Sequence, residues 1–332
     1  MKNTSNPEET IDRLLEILLN EGQQKIETLV THKYPDDDAL LCLWIAKNFI
    51  PNTREAKIIF VNAGTIIPGT EDDPSVLYFD TGFGQYDNHA KGLKRSCSAK
   101  LLVEKLNLPK DNGLKPLIDL AVSADNIDPM PIRDIHYIIA GYPQKFRASG
   151  NGEIDWEKVQ ERVFELFDIV YGQEKGRNES RIRFQKIGRT TKLPNGIKVA
   201  SILNNPSCRE TAFEEGAAVV IWTQHKGKGF YTGIAVNRKY PILLDNVVAN
   251  LRFQENKIRS IDGSEENLRC AGKRNEDDPW FLYDNKKLIL NGSRSFTPNE
   301  EQFTKLVPDT IIGAVHRSLS AIPRDVVSGW NR

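Results

Sequence analysis

The sequence of 332 residues predicts an α/β protein, with a parallel-sheet N-terminal domain and a smaller α+β C-terminal domain. Two observations lead there. Through about the first 150 residues, short apolar runs of strand length alternate with longer runs at helical spacing, the pattern of strand–helix–strand units. Beyond Asp155 the segments become strand-rich and are separated by Gly, Asn and Pro turns. The expected division is residues 1–150 for the first domain, 151–180 for a connector helix and linker, and 181–332 for the second domain.

Taken in order, PEETIDRLLEILLNEGQQKI has apolar residues at helical spacing behind acidic first-turn residues and reads as an amphipathic helix. IETLVTH is a short buried strand. ALLCLWIAKNFI is a strongly apolar helix that stops at Pro51, because proline disfavours helical backbone in the residue before it. AKIIFVNAG and SVLYFDTG are further strands, the first closing in a Gly turn and the second in an aspartate. SCSAKLLVEKLNL and GLKPLIDLAVSADNID are helices, the latter leading into an acidic loop. DWEKVQERVFELFDIVYGQE is a long amphipathic connector, and the charged run from Lys175 to Lys192 reads as a solvated linker. IKVASILN, AAVVIWTQHK, GFYTGIAVN and KKLILNG supply the strands of the second domain.

Formal charge is zero, with 45 basic and 45 acidic residues, so no global basic field recruits nucleic acid. No stretch of 18 or more apolar residues indicates a membrane span. MKNTSNPEET is polar and acidic, unlike a signal peptide. Cys42, Cys97, Cys208 and Cys270 lie far apart without a C-x-x-C pair, which excludes a cysteine zinc knuckle. They read as small buried hydrophobes in a reducing, cytoplasmic setting.

Chemistry concentrates in HKYPDDDA, residues 32–39. The stretch follows a strand, and in parallel sheets ligands gather beyond the carboxyl ends of the strands. His32, Asp36 and Asp38 project from one strand-to-helix turn, and Asp80 ends a later strand. Imidazole with carboxylates suits Mn²⁺, and an all-oxygen set suits Mg²⁺. Two such ions a few Å apart hold a phosphate and activate water for in-line attack. The bland alternative is a polar turn or helix N-cap in which Asp37 caps the helix that follows.

HKYPDDDA resembles the first motif of the DHH phosphoesterase superfamily. Asp80 in LYFDTG fits the second motif of that superfamily. Asp87, Asn88 and His89 in YDNHAKG approximate its naming Asp-His-His motif, and Asp125 in SADNID fits the fourth. DPWFLYDNKKLILNGSRS resembles the C-terminal segment of the Myg-type branch, the melanocyte-proliferating-gene proteins, whose fourth motif ADN also resembles. The resemblance implies a DHH-type catalytic domain and, for that branch, 3′–5′ exonuclease-like activity on RNA. It implies that His32, Asp36 and Asp80 hold one metal and that Asp38, Asp80 and Asp125 hold the other, with Asp80 bridging. His89 would touch the scissile phosphate or a metal, oriented through a hydrogen bond to Asp87. One position departs from the pattern: Asn88 stands where the superfamily has a metal-binding histidine, and a carboxamide oxygen is the weaker ligand.

Elsewhere the readings stay double. HKGKGFY is a hairpin turn with solvated lysines, or a loop that meets a substrate phosphate through backbone N–H groups and Lys226 or Lys228. NGSRS carries Ser293 and Arg294, and arginine grips phosphate in bidentate fashion. His136, His225 and His316 read as structural, Asp37 as a capping or solvated residue and Asp128 as a turn residue. The Gly-Gly-Gly-His signature of the substrate domain usual in the superfamily is absent.

The expected function is a Mn²⁺- or Mg²⁺-dependent phosphoesterase using two ions, exonuclease-like, on a small nucleotide or short single-stranded oligonucleotide. A near-neutral chain suits short substrates, because a long polyanion rewards many phosphate contacts. No membrane is expected as a partner, and a homodimer is compatible with the sequence. The alternatives are an inorganic pyrophosphatase and a catalytically weakened nucleotide-sensing module, the latter favoured by Asn88.

Overall fold

The chain divides into two compact units, one ending at Gly176 and the other starting at Arg177. The computed structural model describes residues 25–84, 86–89, 95–131, 134–149, 152–226, 229–261, 267–292, 298–299 and 302–330. The expected N-terminal amphipathic helix lies almost wholly outside the described residues, as do Lys228, Ser293 and Arg294.

The first unit is built on β1 (Thr28–His32), whose buried Leu29, Val30 and Thr31 suit a strand enclosed on both sides. β2 (Lys57–Val61) and β3 (Val76–Tyr78) pair with it in parallel, giving the order β2-β1-β3. Helix α1 (Asp37–Phe49) follows β1 directly and is buried from Asp37 to Ala46. It ends at Ile50, whose extended backbone precedes Pro51. Helices α2 (Ser98–Lys105), α3 (Lys115–Asp125) and α4 (Ile135–Lys145) complete the layer. Helix α4 is absent from the sequence-based expectation, because Gly141 and Pro143 interrupt its helical signal.

Helix α5 (Trp156–Ile187) buries Val159, Val163 and Phe167 of its N-terminal part in the core that α1 also lines. Trp44 of α1 meets Phe167 and Tyr171 edge-on and donates its Nε1–H to Asp168 Oδ1 at 2.9 Å. The run from Lys175 onwards is not the linker expected from its charge. It stays helical to Ile187 and then forms β4 (Arg189–Lys192). Glu, Gln, Lys and Arg are strong helix formers whatever their solvation, and Phe184 anchors the last turns in a core of its own.

The second unit carries a mixed sheet in the order β4-β5-β6-β7-β9-β8, with β5 (Lys198–Leu203), β6 (Val219–Lys226), β7 (Gly229–Val236), β8 (Phe281–Leu282) and β9 (Leu288–Asn291). Only β5 and β6 run parallel, joined through the short helix α6 (Arg209–Glu214). One face packs Val219, Ile221, Ile234 and Ile289 against α7 (Asp245–Arg259) and α8 (Pro308–Ser320); α9 (Arg324–Gly329) ends the described chain. Arg252 of α7 is fully buried, 2.8 Å from Asp278, and donates to the carbonyls of Leu268, Cys270, Gly272 and Trp280. It ties the segment before β8 to the helix. Among the described residues no helix is long and apolar enough to cross a membrane.

Candidate metal centre

Strand register explains why two residues 48 positions apart meet. Val30 of β1 is paired with Tyr78 of β3, and the Phe79 N–H donates to the Val30 carbonyl at 2.9 Å. His32, the last residue of β1, therefore comes level with Asp80. Its Nε2 lies 3.1 Å from Asp80 Oδ2, and its Nδ1 lies 2.9 Å from the Lys33 carbonyl oxygen. A carbonyl oxygen only accepts, so Nδ1 carries the proton and Nε2 is left facing a carboxylate. That contact is favourable only when a second proton or a cation lies between the two. Burial weakens the ring as a base. The bond to Asp80, the Lys33 carbonyl and the charges of Asp80 and Asp36 outweigh burial and lift its pKa from 6.5 to about 9.

Asp36 has two roles. Its Oδ1 caps α1, accepting the N–H groups of Asp38 and Ala39 at 3.1 and 3.0 Å. Ligand atoms of His32, Asp36 and Asp80 all lie within 4.8 Å of one another. Asp80 itself sits at φ 51°, in the left-handed region. That conformation costs a non-glycine residue roughly 1–2 kcal/mol, less for Asp, and such strain collects at functional sites.

Ser98, at the start of α2, is the member of the site that the sequence did not reveal. Its Oγ is 3.0 Å from Asp80 Oδ1 and 2.8 Å from Asn88 Oδ1, and it accepts the Asn88 N–H at 3.3 Å. One hydroxyl proton thus serves two acceptors in a fully buried place. Asp38 is buried too, and its two oxygens accept the N–H groups of Ser98 and Ala99 at 2.7 and 2.8 Å. Burial and the Asp80 charge push its carboxyl well up, against the pull of those N–H groups.

Asn88 donates its Nδ2–H to Asp125 Oδ2 at 2.9 Å. The Asp125 carboxyl is raised by burial, in opposition to His89 and Asn88. His89 is exposed, its Nε2 3.7 Å from both Asp80 Oδ1 and Asp125 Oδ1. Asp87 accepts the backbone N–H groups of Phe83 and His89, each at 3.0 Å, so it fixes the main chain under His89 and makes no bond to the ring. Among the described residues no Lys or Arg forms an ion pair with Asp36, Asp38, Asp80 or Asp125.

Asp37 is not the helix cap, and it is not solvated. It is buried, with Oδ2 2.7 Å from His136 Nδ1, while Asp36 does the capping. Asp128 pairs with Arg95 at 2.7 Å. Lys226 lies at the exposed end of β6, in the second unit.

No family profile and no curated protein matches the chain. Among solved structures it is similar to PggH, a pGpG-specific phosphodiesterase of Vibrio cholerae, at 10% identity and a TM-score of 0.29, over 90% of this chain and 100% of that one. The DHH domain of a protein described as belonging to a ribosomal-protein family is similar at 13% identity and a TM-score of 0.30, over 96% and 93%. An exopolyphosphatase-related protein of Bacteroides fragilis is similar at 9% identity and a TM-score of 0.25, over 99% and 100%. Likeness at this level transfers no chemistry; the side chains described above have to supply it.

Proposed function

We propose that this protein is a divalent-metal-dependent phosphoesterase of the DHH type, hydrolysing phosphodiester bonds of nucleotides or short oligonucleotides. One observation carries the reading: the ligand atoms of His32, Asp36 and Asp80 converge within 4.8 Å, and the ring is held so that Nε2 points at Asp80. The donor set fits a cation, because acceptors outnumber protons around Ser98 and no Lys or Arg pairs with the four carboxylates among the described residues. Imidazole with carboxylate favours Mn²⁺ over Mg²⁺.

His32, Asp36 and Asp80 would hold the first ion. Asp80 and Asp125 would hold a second; Asp38, expected beside them, has both its oxygens engaged by the Ser98 and Ala99 N–H groups. A divalent ion there supplies Lewis-acid stabilisation of the phosphate and lowers the pKa of water. Ser98 holds Asp80 in place through its hydroxyl, as outer partners of metal ligands do. His89, exposed at the edge of the cluster, is positioned to hold a proton at Nε2 close to a phosphate oxygen. The mode we favour is exonuclease-like removal of terminal nucleotides, on the strength of the motif order in the sequence.

The test is hydrolysis of short RNA and DNA oligonucleotides with Mn²⁺ and with EDTA, by the wild type and Asp80→Asn. Cleavage that needs Mn²⁺ and disappears in the variant is the expected result. A second reading, a module that binds a nucleotide without cutting it, has one observation in its favour: the Asn88 amide already spans Ser98 and Asp125. Tight Mn²⁺ binding with no turnover of oligonucleotides, mononucleotides or pyrophosphate would decide for it. Turnover of pyrophosphate alone would decide for a pyrophosphatase.

A further inference from the structure

The most exposed large apolar residues among those described are Ile127, Tyr34 and Phe83, at 91%, 70% and 67% exposure. Their positions are not scattered. Tyr34 lies between His32 and Asp36, Phe83 three residues beyond Asp80, and Ile127 two beyond Asp125. All three have left-handed backbones, at φ 59°, 53° and 54° respectively for Tyr34, Phe83 and Ile127. That conformation is unfavourable for bulky residues, and glycine or asparagine would relieve it. An exposed apolar side chain on a left-handed backbone costs the fold stability, and the coincidence recurs beside each of the three segments that carry the acidic cluster.

The two aromatic rings are also held. Tyr34 meets Trp156 edge-on, with centroids 5.8 Å apart at an interplanar angle of 83°. Phe83 lies against Gly64, where an added Cβ would stand 2.9 Å from Phe83 Cε2. The Gly64 N–H is tied to Thr81 Oγ1 at 3.2 Å, and the Phe83 N–H to Asp87 Oδ2 at 3.0 Å. Phe83 is thus fixed by the loop that begins at Asp80.

We infer that Tyr34 and Phe83 stack on the nucleobases flanking the bound phosphate, with Ile127 as an apolar neighbour, so that the substrate is a phosphodiester joining two nucleosides. The inference rests on the reading of His32, Asp36 and Asp80 as a phosphate-binding metal centre. The charge pattern selects this occupant. A cation-loaded cluster draws phosphate to the centre, and apolar rings beside it suit the flat groups attached on either side. Pyrophosphate and polyphosphate have no apolar part to place there. A protein or lipid surface needs a contiguous apolar patch, whereas these three residues come from three separate segments, each close in sequence to an acidic residue of the cluster.

The experiment measures binding to the full-length protein of a 5′-phosphorylated dinucleotide, inorganic pyrophosphate and Mn²⁺ alone, with Ca²⁺ replacing Mn²⁺ in the two anion titrations to suppress turnover. Tyr34→Ala and Phe83→Ala are each expected to weaken the dinucleotide about 5- to 150-fold, the range of base–aromatic stacking. Pyrophosphate and Mn²⁺ affinities stay within about twofold, and Tyr34→Trp and Phe83→Tyr restore dinucleotide binding. Unchanged dinucleotide affinity in both alanine variants overturns the inference, as does an equal loss for pyrophosphate. A wild type that binds Mn²⁺ but no dinucleotide overturns the inference and leaves the metal centre standing. A wild type that binds no Mn²⁺ sinks the metal centre, and the aromatic dependence of dinucleotide binding then decides the stacking on its own.

Discussion

Loading the His32 site requires the imidazole to surrender a proton, and the cost of that step is readable from its surroundings. With a pKa raised from 6.5 to about 9, the ring is charged in the metal-free protein at neutral pH. Because the folded-state value is the higher one, the contribution to stability is fully present below pH 6.5 and is lost as pH rises through 9. Its size is about 3 kcal/mol, from about 1.4 kcal/mol per unit. Mn²⁺ takes the neutral ring, so each ion bound well below that pKa releases about one proton, and affinity rises about tenfold per pH unit until the pKa is reached. Isothermal titration in buffers of different ionisation enthalpy measures the proton count directly. His32→Gln should abolish the His32 share, separating it from any proton lost by the raised Asp38 and Asp125 carboxyls. Proton release identical in His32→Gln, or affinity flat across that range, would refute Nε2 as a ligand. Urea unfolding supplies the matching check: the metal-free protein should lose about 3 kcal/mol between neutral and alkaline pH.

Other substitutions probe the supports of the site and of the fold. Ser98→Ala should lower Mn²⁺ affinity about 10- to 100-fold and the metal-free stability by about 1–3 kcal/mol, because Asn88 Oδ1 loses its donor. Unchanged Mn²⁺ affinity would confine the hydroxyl to packing. His136→Ala leaves the buried Asp37 carboxylate unpaired, at about 1–3 kcal/mol in urea unfolding. That cost should shrink in acid, since burial already raises the Asp37 carboxyl. Arg252→Met leaves buried Asp278 with Arg274 as its remaining charge partner and takes the donor from four buried carbonyls, which should cost about 3–5 kcal/mol. Calorimetry should show a melting temperature lowered on the order of 10 °C, with Mn²⁺ affinity as in the wild type.

The first strand, the turn and α1 are legible in the sequence because apolar periodicity and proline placement are local signals. His32, Asp36 and Asp80 stand out by their positions after strands. Their meeting depends on the parallel pairing of β1 with β3, which no local pattern encodes. Ser98 is invisible for a related reason: a serine in a first helical turn is ordinary, and only the fold brings it beneath Asp80. Asp37 and Asp36 exchange roles between expectation and structure because three consecutive aspartates offer three equivalent caps, and backbone geometry chooses among them. The charged end of α5 resembles a linker only when its charge is weighed without its helix propensity.

Asp36 and Asp38 each secure the first turn of a helix, α1 and α2, while facing the same acidic hollow. The positive ends of two helices are thereby set against its negative charge. The hollow is braced by peptide groups that exist as soon as the backbone is made. For a cation it would be a socket, braced before loading, where a zinc knuckle is a rivet without which nothing closes. The identity of an occupant would then be decided by exchange with the surrounding solution over the lifetime of the protein, not once at its birth.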